Sequence, residues 1–179
     1  KVPYNENEIG LQPKSFYGST KLANEIFTKS VIESTKTRAI GMRFFTVYGP
    51  WGRPDMAYFR IFSDLLSGSK FELFGDGSVK RDFTYIDDVV TSIEKLENWG
   101  HDNAKGTNTI VNIGGGNPST MSELINNINR ETKYFEVTKQ GFIDPADMQQ
   151  TYADPRLLEK LIAYKPKTSL TDGVKFFVD

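Results

Sequence analysis

One switch of hydrophobic period, early in the chain, limits the folds open to it. From 15 to 34 the apolar residues Leu22, Ile26, Phe27 and Val31 recur at helical spacing. From 38 to 47 the sequence becomes Arg-Ala-Ile-Gly-Met-Arg-Phe-Phe-Thr-Val, a β-prone apolar run that reads as a buried strand. The strand empties into Tyr48-Gly49-Pro50-Trp51-Gly52-Arg53-Pro54, which has too many breakers for anything but a loop. A helix that feeds a buried strand, which then ends in a glycine-rich loop, is the unit from which α/β proteins are built.

The rest of the chain continues the alternation. Asp55 is expected to cap a helix reaching residue 66 and closed by Gly68. Strands are expected near 70–74 and 81–85, joined as a hairpin through Gly75-Asp76-Gly77-Ser78, then a helix over 87–97 with acids at its start. A strand at 109–113 precedes Thr120-Met121-Ser122-Glu123, a capping box that opens a helix to about residue 131. A strand at 134–139 and helices at 155–162 and 170–178 complete the pattern.

Composition removes several function classes. The net charge of −1 over 179 residues does not suit a general nucleic-acid binder, which needs a basic face. There is no cysteine, so disulfides and thiolate chemistry are excluded. The single histidine, His101, lies in a polar run read as loop, and one histidine builds neither a zinc site nor a Ser-His-Asp triad. No apolar run spans a bilayer and no signal peptide is visible, so a cytoplasmic protein is the default expectation.

Three segments carry chemistry. Tyr17 and Lys21 are four apart and share a helix face. An ammonium beside a phenol favours the phenolate, which suits a general base acting on a sugar hydroxyl. The plainer alternative is an ordinary exposed pair, and taken alone this spacing is common by chance. In the segment 42–56, Thr46 and Arg53 follow the carboxyl end of a strand, where open α/β sheets bind ligands. There Arg43 reads better as a structural ion pair and Phe45 as core. In the segment 75–89, adjacent Lys80 and Arg81 point to opposite strand faces, so one suits a phosphate and the other solvent. The alternative is a charged hairpin tip.

Read together, these segments resemble the extended short-chain dehydrogenases/reductases, within them the NAD-dependent nucleotide-sugar epimerase/dehydratase family, and most closely the UDP-glucuronate 4-epimerases. The wording RFFTVYGPWGRPDMA followed by KRDFTYIDDVV carries the likeness, and DPADMQQTYAD at 144–154 looks like the family's nucleotide-contact tail. The resemblance implies the C-terminal part of a Rossmann-like doubly wound sheet plus a small mixed α/β substrate-binding domain. Residues 1–50 would belong to the dinucleotide-binding domain and 51–179 to the substrate domain, with 87–113 returning to the Rossmann-like part. It implies Tyr17 as catalytic base, Lys21 on the nicotinamide ribose, and the backbone near Phe44 at the nicotinamide end of NAD. Thr46 would face the sugar and its carboxylate, and Arg53 and Arg81 would hold acidic groups, Arg81 the diphosphate. Glu72 to Phe74 would offer backbone atoms to uracil, and Asp147 would lie near the nucleoside.

Ala146 and Asp144 depart from the family's usual glycine and its usual glutamine or arginine, which leaves the contacts of that tail open. The family's glycine-rich dinucleotide loop has no good match. Gly114-Gly115-Gly116-Asn117-Pro118-Ser119 follows a strand, with Glu136 about twenty residues on. Yet Ser119 replaces the third glycine and Pro118 removes a backbone donor, so the segment reads as a strand-to-helix turn. The expected parent is thus an epimerase interconverting UDP-glucuronate and UDP-galacturonate through a 4-keto sugar, of which this chain is the C-terminal half, inactive alone. A dehydratase or decarboxylase of the same superfamily is the alternative, and a non-catalytic sugar-nucleotide-binding module the alternative of another class. The strand at 40–46 is expected to have one free edge, and the chain to form a homodimer or swap segments across that strand and the helix at 15–34, without binding NAD tightly.

Overall fold

A computed structural model describes residues 1–8, 10–35, 37–103, 108–132, 137–140 and 148–178. Strands and helices alternate as expected: α1 (Phe16–Thr35), β1 (Ala39–Phe44), β2 (Thr46–Tyr48), α2 (Ala57–Ser67), β3 (Phe71–Phe74), β4 (Lys80–Arg81), β5 (Phe83–Tyr85), α3 (Ile86–Asn103), β6 (Asn108–Ile113), β7 (Ser119–Thr120), α4 (Met121–Thr132), β8 (Val137–Gln140), β9 (Gln150–Thr151), α5 (Arg156–Ile162) and α6 (Leu170–Val178). Among the described residues no helix is long and apolar enough to cross a membrane.

The pairing is mostly parallel. β1 pairs β6 with Ala39 opposite Asn108 and Phe44 opposite Ile113. β2 pairs β5 and β3 pairs β8, both parallel, while β4 lies between antiparallel β7 and parallel β9. The run at 38–47 is therefore not one strand. It breaks at Phe45 because the chain changes partner there, leaving β6 for β5, and the Thr46 N–H donates to the carbonyl of Asp82 at 3.0 Å.

Two clusters of buried side chains form the core. Val89, Leu96, Val111, Ile113 and Leu158 fill the space between β6, α3 and α5. Tyr48, Tyr58, Ile61, Phe71, Phe83, Leu124, Ile128 and Val174 form the other, between α2, α4, α6 and the strands β2, β3 and β5. The second is rich in edge-to-face rings, with Tyr48 meeting Tyr58, Phe83 and Tyr85 at centroid distances of 6.2, 6.2 and 5.6 Å.

Three local expectations are not met. Asp55 does not cap α2, whose N-cap is Met56 without a side-chain bond. Its carboxylate instead takes the Arg53 guanidinium in a two-pronged pair at 3.1 and 2.5 Å. Gly68 does close α2, in the left-handed region at φ 68°. Residues 75–78 do form a turn, with Asp76 accepting from the Ser78 N–H at 2.9 Å, but it is no hairpin. β3 and β4 leave it for different sheets, and the Gly77 carbonyl accepts from the backbone N–H and hydroxyl of Ser122 on α4. His101 lies in the last turn of α3, not in a loop. The buried stripe Val89, Ser92, Leu96 and Gly100 carries that helix past residue 97, and Arg38 donates to the carbonyl of His101 at 2.7 Å near its end.

The capping box at 120–123 is present in full. The Glu123 carboxylate accepts from the Thr120 N–H at 2.6 Å, and the Thr120 hydroxyl accepts from the Glu123 N–H at 3.0 Å. The bond from the Thr120 N–H, and a second that the Thr120 hydroxyl donates to the same carboxylate at 3.0 Å, hold the Glu123 carboxyl below its usual pKa.

Asp88, in the first turn of α3, ties the C-terminal segment to the core. Its carboxylate accepts from the Tyr164 hydroxyl at 2.5 Å and from the N–H groups of Lys167 and Thr168 at 3.1 and 2.8 Å. Burial pushes its pKa up, but the hydrogen bonds from Tyr164, Thr168 and Lys167 outweigh burial, and the net shift is below the ordinary 3.8. Burial and then the Asp88 carboxylate push the Tyr164 phenol the other way. Asp88→Asn turns an amide N–H₂ towards one set of donors, so at neutral pH the variant is expected to lose about 1–3 kcal/mol in a denaturant titration. The folded carboxyl is depressed, so its contribution is complete above pH 3.8 and fades as pH falls below it. The gap between wild type and variant is expected to close over the same acidic range. A gap unchanged by acid would mean that the charge contributes nothing.

Candidate functional site

α1 begins on its own cap. The Ser15 hydroxyl accepts from the Gly18 N–H at 3.0 Å, and Pro13 and Ser15 leave so little room at Gly18 that an added Cβ would lie 3.1 Å from Pro13 Cβ. The start of the helix is thereby fixed directly beside Tyr17. Tyr17 is exposed, and the Lys21 ammonium lies 5.0 Å from the centroid of its ring. The two do share a face.

β1 stands behind them. Arg43 grips Glu25 of α1 through two hydrogen bonds of 2.7 Å, and both side chains are about three-quarters buried. The bonds to Glu25 keep the Arg43 pKa above its usual value. Arg43 is thus the structural ion pair the sequence suggested, and it sets the distance between catalytic-helix candidate and strand. Phe45 is half buried, its ring 6.3 Å from that of Tyr4. Phe44, at the carboxyl end of β1, is nearly half exposed. Tyr17, Lys21, Arg43, Phe44, Leu11 and Met148 all line one open depression of about 910 Å³ between α1 and β1.

The other described candidates stand outside that lining. Thr46 opens β2 and is partly buried. Arg53 is exposed and paired with Asp55, and its pKa is raised first by that hydrogen bond and in smaller part by Tyr17. Beside Arg53, Trp51 is fully exposed with φ 62°, a region few non-glycine residues adopt. Glu72 and Phe74 occupy the exposed positions of β3, with the Arg60 guanidinium 5.9 Å from the Phe74 ring. Arg81 and Lys80 do diverge. Lys80 is exposed, whereas Arg81 donates to the carbonyl of Met148 at 2.6 Å and so reaches a residue lining the depression. Asp147, Asp144, Ala146 and Glu136 lie outside the described residues.

Sequence reasoning missed Asp82. It falls within the strand expected over 81–85, but it interrupts that strand and is almost wholly buried. Its carboxylate accepts from the N–H groups of Gly115 at 3.1 Å, Gly116 at 2.9 Å and Ala153 at 3.0 Å. The glycine turn at 114–116 therefore does cradle an anion, and the anion is the protein's own. An added Cβ on Gly114 would lie 2.7 Å from Asp82 Oδ2 and 2.8 Å from Ala153 Cβ, which is why glycine stands there. The turn leads through β7 into α4. A usable signal existed: aspartate is depleted in strands, and a triple glycine without a phosphate needs another reason to exist.

The family model for the NAD dependent epimerase/dehydratase family matches residues 2–114. A probable UDP-glucuronate 4-epimerase of Rhizobium meliloti (strain 1021) is 34% identical over 193 residues, covering 100% of this chain and 57% of its own length. A UDP-glucuronic acid 4-epimerase from Bacillus cereus, crystallised with UDP-glucuronic acid and NAD, superposes with TM-score 0.87 at 30% identity, over 98% of this chain and 55% of that one. The NAD dependent NDP-hexosamine 5,6-dehydratase TunA of tunicamycin biosynthesis superposes with TM-score 0.86 at 27% identity, over 99% of this chain and 57% of that one. The chain spans about half the length of the curated relatives it matches. Its parallel α/β architecture is the corresponding part of their Rossmann-like fold. The chain belongs to the NAD dependent epimerase/dehydratase family.

Proposed function

We propose that this chain supplies the catalytic helix and the sugar-nucleotide site of an NAD-dependent UDP-sugar 4-epimerase acting on UDP-glucuronate and UDP-galacturonate. The observation that carries the reading is the shared wall of the depression: Tyr17, Lys21 and Phe44 face one space, and Arg81 reaches Met148 on its rim. Named relatives acting on or crystallised with UDP-glucuronate support the substrate. The pairing of β1 with β6, over the core they share with α3, supports returning 87–113 to the part that holds residues 1–50, with the rest of 51–179 as a substrate domain, while Tyr48 and α5 pack across that division.

The residues fit a nicotinamide cofactor at one end only. Tyr17, Lys21 and Phe44 would hold its nicotinamide and ribose, while the 114–116 turn is filled by Asp82 and has no place for a dinucleotide phosphate. When bound, the cofactor would supply reversible hydride acceptance at sugar C4. Tyr17 would take the 4-hydroxyl proton and return it after the 4-keto sugar turns over. Lys21 would stabilise the phenolate by its charge. Arg81 would hold the diphosphate, Thr46 and Arg53 the uronate end, the backbone of Glu72 to Phe74 the uracil, and Asp147 the nucleoside. α1 exposes Phe16, Ile26, Phe27 and Val31, an apolar face that a second copy of the chain would cover in a homodimer. Light scattering during size exclusion tests that part. A cytoplasmic location belongs to the same reading. The likeness to TunA keeps a dehydratase as the second reading, which NMR of the product distinguishes.

Tyr17→Phe, in the protein carrying this chain, is expected to lower turnover by roughly 10²–10⁴ while sugar-nucleotide affinity holds, since only the ionisable oxygen is lost. Comparable turnover in the variant would remove Tyr17 as the base. Arg81→Ala is expected to weaken UDP, UDP-glucose and UDP-glucuronate alike by about 1.5–3 kcal/mol, as read by calorimetry. Thr46→Val is expected to weaken UDP-glucuronate more than UDP-glucose. Equal losses for the two sugars would contradict a uronate contact at Thr46.

A further inference from the structure

Asp82 has no part in the chemistry just described, yet its polar groups reach three segments that do or that flank them. Its carbonyl accepts from Thr46, its N–H donates to Thr151, and its carboxylate holds Gly115, Gly116 and Ala153. Thr46 is the sugar-facing candidate, Arg81 is the preceding residue, and 148–153 is the segment whose Met148 carbonyl receives the Arg81 guanidinium. The register of β4 against β9, with Lys80 opposite Gln150 and Arg81 opposite Thr151, decides where that carbonyl lies. Only two residue pairs define this ladder, too few to resist a slip by themselves. The buried carboxylate adds fixed points on both sides of it, at Ala153 and at the glycine turn.

We propose that Asp82 is a positioning residue for the sugar-nucleotide site: its carboxylate locks segment 148–153 against β4, so that Arg81 meets the substrate diphosphate from a fixed direction. This rests on the nucleotide reading above. An amide in place of the carboxylate would set N–H₂ against at least one of three N–H donors, loosening the segment without removing Arg81.

The test is calorimetry with UDP on wild type, Asp82→Asn, Arg81→Ala and the double variant, beside thermal melting and amide NMR. Asp82→Asn is expected to lose roughly tenfold in UDP affinity well below its melting temperature. The Gly115, Gly116 and Ala153 amides are expected to lose protection from exchange. In the Arg81→Ala background the same substitution is expected to cost much less, because the group it positions is gone. A lower melting temperature with unchanged UDP affinity would overturn the proposal and leave Asp82 a purely structural residue. A full tenfold loss without Arg81 would also overturn it. Should Asp82→Asn not fold, titration of wild type with UDP decides: the three amides are expected to shift in step with the Arg81 guanidinium, and their standing still would count against the proposal. Failure of wild type to bind UDP would be a different result, since it removes the nucleotide reading itself and the role assigned here with it.

Discussion

The structure depends on one buried charge held by backbone. A carboxylate removed from water is costly unless it is fully hydrogen-bonded, and Asp82 meets that condition with donors from residues 33, 34 and 71 positions away. Those donors converge only when the 114–116 turn after β6 and the residues after β9 both reach the link between β4 and β5. Solvation of a single group thus constrains the arrangement of segments far apart in the chain. The hydrophobic clusters stabilise each side, but they are tolerant of small shifts in a way that a three-donor site is not.

The same economy appears at the other charged sites. Arg43 with Glu25, Asp88 with Tyr164, and Asp154 with Arg156 and Asn5 each join elements or segments rather than decorate a surface. For Asp154 the hydrogen bonds from Arg156 come first in holding the carboxyl well below the usual range, though Arg156 itself is largely exposed and the pair is correspondingly open to screening. Arg53 and Asp55 differ: both are exposed, so their pair shapes the loop before α2 more than it stabilises the fold.

How much the sequence revealed followed the range of the interactions. The helix at α1, the capping box at Thr120 and Glu123, and the closure at Gly68 depend on neighbours a few residues away, and they were readable from the chain. The break at Phe45 was not, because it arises where β1 and β2 take different partners from distant segments. The hairpin expected at 75–78 failed for the same reason, since nothing local to Gly75-Asp76-Gly77-Ser78 says that β3 will choose β8. Of the candidate site, the shared face of Tyr17 and Lys21 and the divergence of Lys80 from Arg81 were legible as periodicity. That Arg53 would spend its fork on Asp55, and that Asp82 would fill the glycine turn, depended on side-chain geometry that spacing does not encode.

The clasp near the start of the chain has a kinetic consequence. Tyr4 bridges to Ala153 in parallel, its N–H donating to Tyr152 and its carbonyl accepting from Asp154, while Asn5 donates to the carboxylate of Asp154 across 149 residues of chain. Contacts of such separation reward folding only after the chain between them has given up most of its freedom, and topologies rich in them fold slowly. The two ends of the clasp are therefore expected to meet late, after the local helices have formed, and a nascent chain presents Tyr4 and Asn5 long before their partners at 152–154 have been made.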